Sequence, residues 1–180
     1  MHLTVPAPQV SVTVSQGSRS GTFVVELDLN AAPLTVNNFL AYVNQGFYNS
    51  TLFHRVIPAF VVQAGGYTAG SAGPNPKTPT RAAIALESNN GLTSLRGTIA
   101  MARTSEPNSA TAQFYVNLVD NPDLDYQSAD KPGYAVFGKV ISGLDVVDEI
   151  GKVPTTLNAS LGLADLPVNN VTIVSATQSK

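Results

Sequence analysis

Apolar and polar residues alternate from Val10 to Ser15, with Val10, Val12 and Val14 set against Ser11, Thr13 and Ser15, and the alternation resumes from Thr22 to Leu29 after the polar stretch Gln16 to Arg19. A period of two sends one set of side chains to a packed face and the other toward water, so this spacing predicts a β-hairpin. From Pro33 the period changes. Val36, Phe39, Leu40 and Val43 fall at i, i+3, i+4 and i+7, which share one face of a helix, with Pro33 suited to the first turn and Gly46 to the stop. β-rich runs follow at Leu52 to Gln63, Gly97 to Ala102, Gln113 to Leu118 and Tyr134 to Ile141. Gly143 to Ile150 predicts a short helix with Leu144, Val147 and Ile150 inward, and Val168 to Ala176 a closing strand. Three stretches carry neither period and read as irregular: Tyr67 to Thr80, Asp120 to Gly133 and Lys152 to Leu166. Many short strands with few helices argue for an antiparallel sandwich or barrel, because a parallel sheet needs a helix between most of its strands.

Composition narrows what such a fold is for. The 180 residues suit one domain spanning 1–180, and no repeat or shift of composition marks a boundary. Ten Lys and Arg against twelve Asp and Glu leave a formal charge of −2, which provides no basic field for nucleic acid or an anionic membrane surface. The absence of cysteine excludes disulfides, thiolate zinc sites and thiol catalysis. The uncharged run Val56 to Pro76 carries too many Gly, Asn and Gln for a membrane helix, and Met1 to Gln9 has no basic stretch leading into an apolar one, so no secretion signal is expected there.

Candidate chemistry is sparse. His2 and His54 are the only histidines, too few for a multi-histidine metal centre, and His54 reads as a core histidine satisfied by the backbone. The acidic set Asp120, Asp123, Asp125 and Asp130 lacks the glycine and terminal glutamate of a helix-loop-helix calcium site and reads as a solvated loop. More informative is the stretch from Phe53 to Gly66, where Arg55 stands among apolar residues with Gln63 eight positions later. In an uninterrupted strand residues 55, 61 and 63 share a face, although Pro58 predicts a break or bulge. On spacing alone, Arg55 reads as a surface charge and Phe60 as core.

This stretch resembles the signature of the cyclophilins, the family of peptidyl-prolyl cis-trans isomerases: Phe53-His54-Arg55, then Ile57, Phe60, Gln63 and Gly65. The resemblance continues through Arg96 to Ala102, Ser109 to Val116 and Tyr134 to Val140, four motifs in the family's order. It implies a mainly β fold, a closed eight-stranded antiparallel β-barrel capped by two α-helices, with the substrate groove on the outside of the barrel. By motif position it implies Arg55 as the catalytic arginine with Phe60 and Gln63 beside it. Val61, Tyr115 and Leu124 then match the proline pocket, Gln113 a polar substrate contact, and Ala102 and Arg103 the segment whose backbone holds the peptide. Tyr134 falls where many members have histidine. The departures are Val61 for methionine, Tyr115 for phenylalanine, Ala59 and Ala64 where glycine is commoner, and Arg103 where asparagine is frequent. Asp123 falls near the tryptophan of cyclosporin-sensitive members, which implies weak cyclosporin binding. Met101 to Thr104 and Tyr134 look most like the bacterial, periplasmic group, with the cytoplasm as the other compartment.

The resemblance thus implies an enzyme that rotates X-Pro bonds of proline-containing polypeptides and assists their folding, as a monomer, with no cofactor and no metal. The alternative is a weakly active or inactive module that uses the same groove as a chaperone or scaffold.

Overall fold

The computed structural model describes residues 5–180. Strands β1 (Gln9–Gln16) and β2 (Arg19–Leu27) form the expected hairpin, paired from Gln9 and Glu26 down to Gln16 and Arg19 around a two-residue turn. Helix α1 (Pro33–Asn44) follows, then β3 (Thr51–Ile57), β4 (Val61–Thr68), β5 (Asn75–Pro76), β6 (Thr98–Met101), β7 (Phe114–Asn117) and β8 (Val136–Ser142). Helix α2 (Leu144–Ile150), the ribbon β9 (Thr155–Asn158) and β10 (Leu163–Pro167), and β11 (Thr172–Gln178) complete the chain. The order β3, β11, β1, β2, β8, β6, β7, β4 returns to β3 through the β3–β4 pairing, so eight strands close an antiparallel barrel and leave no long edge unpaired.

The sequence pattern accounts for most of this and misplaces four parts, the first being Tyr67 to Thr80, expected to be irregular, where β4 runs on to Thr68 and pairs with β5. The run Leu52 to Gln63 is two strands, because Pro58, Ala59 and Phe60 make the turn of a hairpin in which Ile57 pairs with Val61. Lys152 to Leu166, expected to be irregular, holds the β9–β10 ribbon. Its alternation is obscured because β9 is largely exposed while β10 buries Leu166 and Pro167. The closing strand begins at Thr172, four residues later than the pattern suggests.

The interior is filled by alternate residues of the strands and by one face of each helix. Val36, Phe39, Tyr42 and Val43 of α1 and Val147 and Ile150 of α2 belong to the same buried cluster as Val12, Phe23, Val25, Phe114 and Phe137. Helix α1 has no side-chain cap at Ala32. A carboxylate from a distant loop does that work: Glu87 Oε1 accepts from Thr35 N–H at 2.6 Å and from Thr35 Oγ1 at 2.7 Å. Asn38 Nδ2 donates to the Thr111 carbonyl at 2.7 Å, so α1 also fixes the segment that leads into Gln113. At the start of α2, Gly143 has φ of +77° and lies so close to Phe23 that a Cβ would collide with it.

Candidate active site

The barrel wall has a second apolar cluster on its outer face. Val61, Ala100, Tyr115 and Val136 are buried there, and Phe60, Leu92, Ala102, Leu124 and Tyr134 pack around them partly exposed. Their chain neighbours Val62, Ile99, Phe114, Val116 and Phe137 point inward, so the period of two that builds the core also builds this patch. Cross-strand register places it in a row. Arg55 lies opposite Gln63, Gln63 opposite Tyr115, Tyr115 opposite Ala100 and Ala100 opposite Val136, running from a cation through an amide to an apolar surface.

Arg55 and Gln63 share this face because they are cross-strand partners across a hairpin, not because one strand runs unbroken through both. Phe53 pairs with Ala64 and Arg55 with Gln63, so β3 advances two residues while β4 advances one, and His54 is the extra residue of a bulge. Arg55 Nη1 donates to Gln63 Oε1 at 3.2 Å, and Gln63 Nε2 donates to Gln113 Oε1 at 2.8 Å. This chain fixes the guanidinium by a neutral acceptor and leaves its charge uncompensated. Among the described residues the two ion pairs are Arg96 with Asp148 and Lys152 with Glu149, and neither involves Arg55 or Arg103. Gln113 lies so close over Gly66 that any Cβ there would displace its amide.

The remaining predicted positions assemble around the same patch. Ala102 N–H donates to the Gln113 carbonyl at 3.0 Å. The Arg103 side chain is held in place as well: Nε and Nη2 donate to the Gly133 carbonyl at 3.1 and 2.6 Å, Nη1 donates to the Thr104 carbonyl at 2.8 Å, and the guanidinium lies 4.7 Å over the Tyr134 ring. Tyr134 meets Tyr115 edge-on at 5.8 Å, and its N–H donates to the Leu124 carbonyl at 3.0 Å. The Tyr115 hydroxyl is buried without a partner. Burial, with Tyr134 and Asp125 nearby, pushes that phenol well above its usual range, so it stays neutral.

Two further features bear on the site. Ala59 has φ of +55°, a conformation that costs a residue with a Cβ about 1 kcal/mol and that explains why glycine suits this turn. His54 is buried against Tyr67 with ring centroids 4.7 Å apart. Its Nδ1 has no hydrogen bond of good geometry among the described groups, although the Leu52 backbone and Gln113 lie near enough to favour its protonated form. Burial, aided by the charge of Arg55, lowers its pKa to about 4.

Sequence reasoning missed Ala100 and Val136 as patch residues, although both lie in quoted motifs and fall on the outer parity of their strands. Leu92 carried no signal, since it lies in a loop without a period. The acidic loop does act as solvated structure in part, but Asp125 Oδ1 accepts from Ser94 N–H at 2.6 Å and Asp120 Oδ1 from Arg96 N–H at 2.7 Å, so these carboxylates brace the loops beside the patch.

Residues 10–178 match the family model described as cyclophilin type peptidyl-prolyl cis-trans isomerase/CLD. The chain belongs to the cyclophilin-type peptidyl-prolyl cis-trans isomerases. It is 46% identical over 159 residues to peptidyl-prolyl cis-trans isomerase A of Dickeya dadantii, covering 86% of this chain and 81% of that protein. Against peptidyl-prolyl cis-trans isomerase B of Escherichia coli it is 46% identical over 162 residues, covering 89% and 95%. In solved structures the fold is similar to a cyclophilin type peptidyl-prolyl cis-trans isomerase of Cryptosporidium parvum, with a TM-score of 0.75 at 22% identity over 97% of this chain and 98% of that one. A structure of that protein in the presence of the dipeptide Ala-Pro matches with a TM-score of 0.74 at 23% identity, covering 96% and 99%. This cyclophilin is therefore an isomerase of X-Pro peptide bonds, and among its described residues no helix is long and apolar enough to cross a membrane.

Proposed function

We propose that the row from Arg55 to Val136 is the catalytic groove, and that the whole chain acts as one isomerase domain on proline-containing polypeptides. Rotation about an X-Pro bond breaks no covalent bond. It must only overcome amide resonance, a barrier of about 18–20 kcal/mol. In the twisted transition state the proline nitrogen becomes pyramidal and regains a lone pair, so it accepts a hydrogen bond that neither planar isomer accepts well. Arg55 donates to that nitrogen and binds the twisted form preferentially, which is the differential binding catalysis requires. The observation that carries this reading is a guanidinium fixed by the neutral Gln63 amide, with no carboxylate among the described residues paired to its charge, at the polar end of an apolar patch.

Phe60, Val61, Tyr115 and Leu124 seat the proline ring and exclude water from one side of the imide, which disfavours the dipolar resonance form. Gln63 and Gln113 bond the peptide backbone and hold the rotation axis. The Ala102 carbonyl and the Arg103 N–H have no hydrogen-bond partner among the described groups, which suits them to hold an extended peptide as an added strand would be held. Tyr134, braced by Arg103, walls the far side. No resident metal or cofactor takes part in this scheme.

One charged hydrogen bond contributes about 1.5–3 kcal/mol, so Arg55→Ala lowers kcat/KM for a short X-Pro peptide about ten- to a hundredfold with KM little changed. Exchange measured by NMR or a protease-coupled assay tests this, and undiminished turnover in the variant removes Arg55 from the reaction. Cyclosporin binds weakly, because Asp123 presents an exposed acidic residue on the 3-10 turn near the position of the tryptophan in sensitive members. A titration giving a low-nanomolar Kd contradicts that. The monomeric state and a periplasmic location complete the proposal. The latter is supported by Met101 to Thr104 and Tyr134 and is tested by fractionating cells that express the natural gene.

A further inference from the structure

We propose that Asn121 is a positioning residue for the isomerase reaction, acting through the Phe60 turn and Leu124 to fix the seat of the proline ring. The proposal rests on the groove assignment above. Phe60 sits in the turn between β3 and β4, outside the regular ladder, yet an anchor for a ring must itself be fixed. Its carbonyl accepts from Leu118 N–H at 2.9 Å and from Asn121 Nδ2 at 3.0 Å. The same Nδ2 donates to Asn117 Oδ1 at 2.9 Å, and Asn117 Nδ2 donates onward to Thr98 Oγ1 at 2.9 Å.

The backbone of Asn121 is equally committed. Its N–H donates to the Ser94 carbonyl at 2.8 Å and its carbonyl accepts from Leu124 N–H at 3.0 Å. One residue therefore ties together the turn that carries Phe60, the loop that follows Leu92 and the 3-10 turn that carries Leu124. Those are three partly exposed walls of the patch, contributed by segments far apart in the chain. Asn121 is 8% exposed and Asn117 fully buried, so water competes little for these bonds. Only an amide suits the place. Both Nδ2 hydrogens are used on oxygen acceptors, and a carboxylate would set lone pairs against both.

The test compares wild type, Asn121→Ala, Phe60→Ala and the double variant in steady-state isomerisation of one X-Pro peptide. Loss of one such hydrogen bond corresponds to about a fivefold effect, so Asn121→Ala raises KM about fivefold with kcat within about twofold of wild type. Arg55→Ala shows the opposite split. In the double variant Asn121→Ala adds less than about twofold to the loss from Phe60→Ala, because no ring remains to be held. Independent multiplication of the two losses, or an Asn121→Ala enzyme with unchanged KM, overturns the proposal. Should the alanine variant fail to fold, Asn121→Ser, with a hydroxyl too short to reach both acceptors, carries the same cycle and the same outcomes. A wild-type protein whose turnover is unaffected by Arg55→Ala and Phe60→Ala refutes the groove assignment itself, whereas loss in those two with unaltered Asn121 variants refutes only the positioning role.

Discussion

The inner and outer faces of the barrel wall are built from the same strands and the same kinds of residue, yet they are finished differently. Inside, Phe39, Tyr48, Phe114 and Phe137 pack with ring centroids 5.2–5.4 Å apart, and the Tyr48 hydroxyl donates to the Ala112 carbonyl at 2.7 Å. Outside, Tyr115 is buried to a similar degree but its hydroxyl has no partner, and Phe60, Leu124 and Tyr134 are left partly exposed. Inner side chains spend their apolar surface on each other, so that surface stabilises the fold. The outer patch leaves part of its surface uncovered, as the proposed groove requires if it is to receive a substrate.

Four substitutions and one titration sharpen this contrast. The largest effect is expected from Phe114→Ala, which opens a cavity among Phe39, Tyr48 and Phe53 and costs about 3–5 kcal/mol in denaturant unfolding. Isomerisation by the protein that remains folded should stay near wild type; a catalytic defect without lost stability would mean that the two faces are not separable.

Next in size is the response to acid. His54, the bulge residue between the faces, is held neutral with a pKa lowered to about 4 from 6.5, so as the pH falls the unfolded chain takes up this proton first. Stability is fully present above about pH 6.5 and declines toward pH 4, by about 3 kcal/mol over that window. His54→Gln should flatten this part of the curve in pH-dependent unfolding, and an unchanged slope would assign the loss to other groups.

The smallest effects have opposite signs at two tyrosines. Tyr48→Phe leaves the Ala112 carbonyl unpaired and should cost about 1 kcal/mol, whereas Tyr115→Phe removes a buried hydroxyl that bonds to nothing and should add about 1 kcal/mol. Thermal unfolding of the pair measures this directly. Equal losses at both positions would show that the outer patch is as fully satisfied as the core.

Much of the fold was legible because period is a local property. The alternation at Val10 to Ser15 and the i, i+3, i+4, i+7 spacing from Val36 to Val43 mark a hairpin and a helix without reference to anything distant. The β9–β10 ribbon was not legible, because it is anchored by Leu166 and Pro167 on one strand only and leaves β9 without a buried face to alternate against. At the site, Arg55, Gln63 and Gln113 stood out through the family resemblance, but their hydrogen-bonded chain depends on a one-residue bulge at His54. Asn121 and Leu92 stood outside every period, and their contacts with the patch come from loops that meet only after the barrel has closed.

The order of residues alone determined which side chains face inward on each strand, which segment coils, and that one arginine and two glutamines are available beside apolar positions. Tertiary structure alone decided that Arg55, Gln63, Tyr115, Ala100 and Val136 fall in one row, and that Asn121 joins three walls of one patch. The reason is that side-chain direction is set by backbone period over a few residues, while register across a closed barrel is set by bulges, turns and packing among strands distant in the chain.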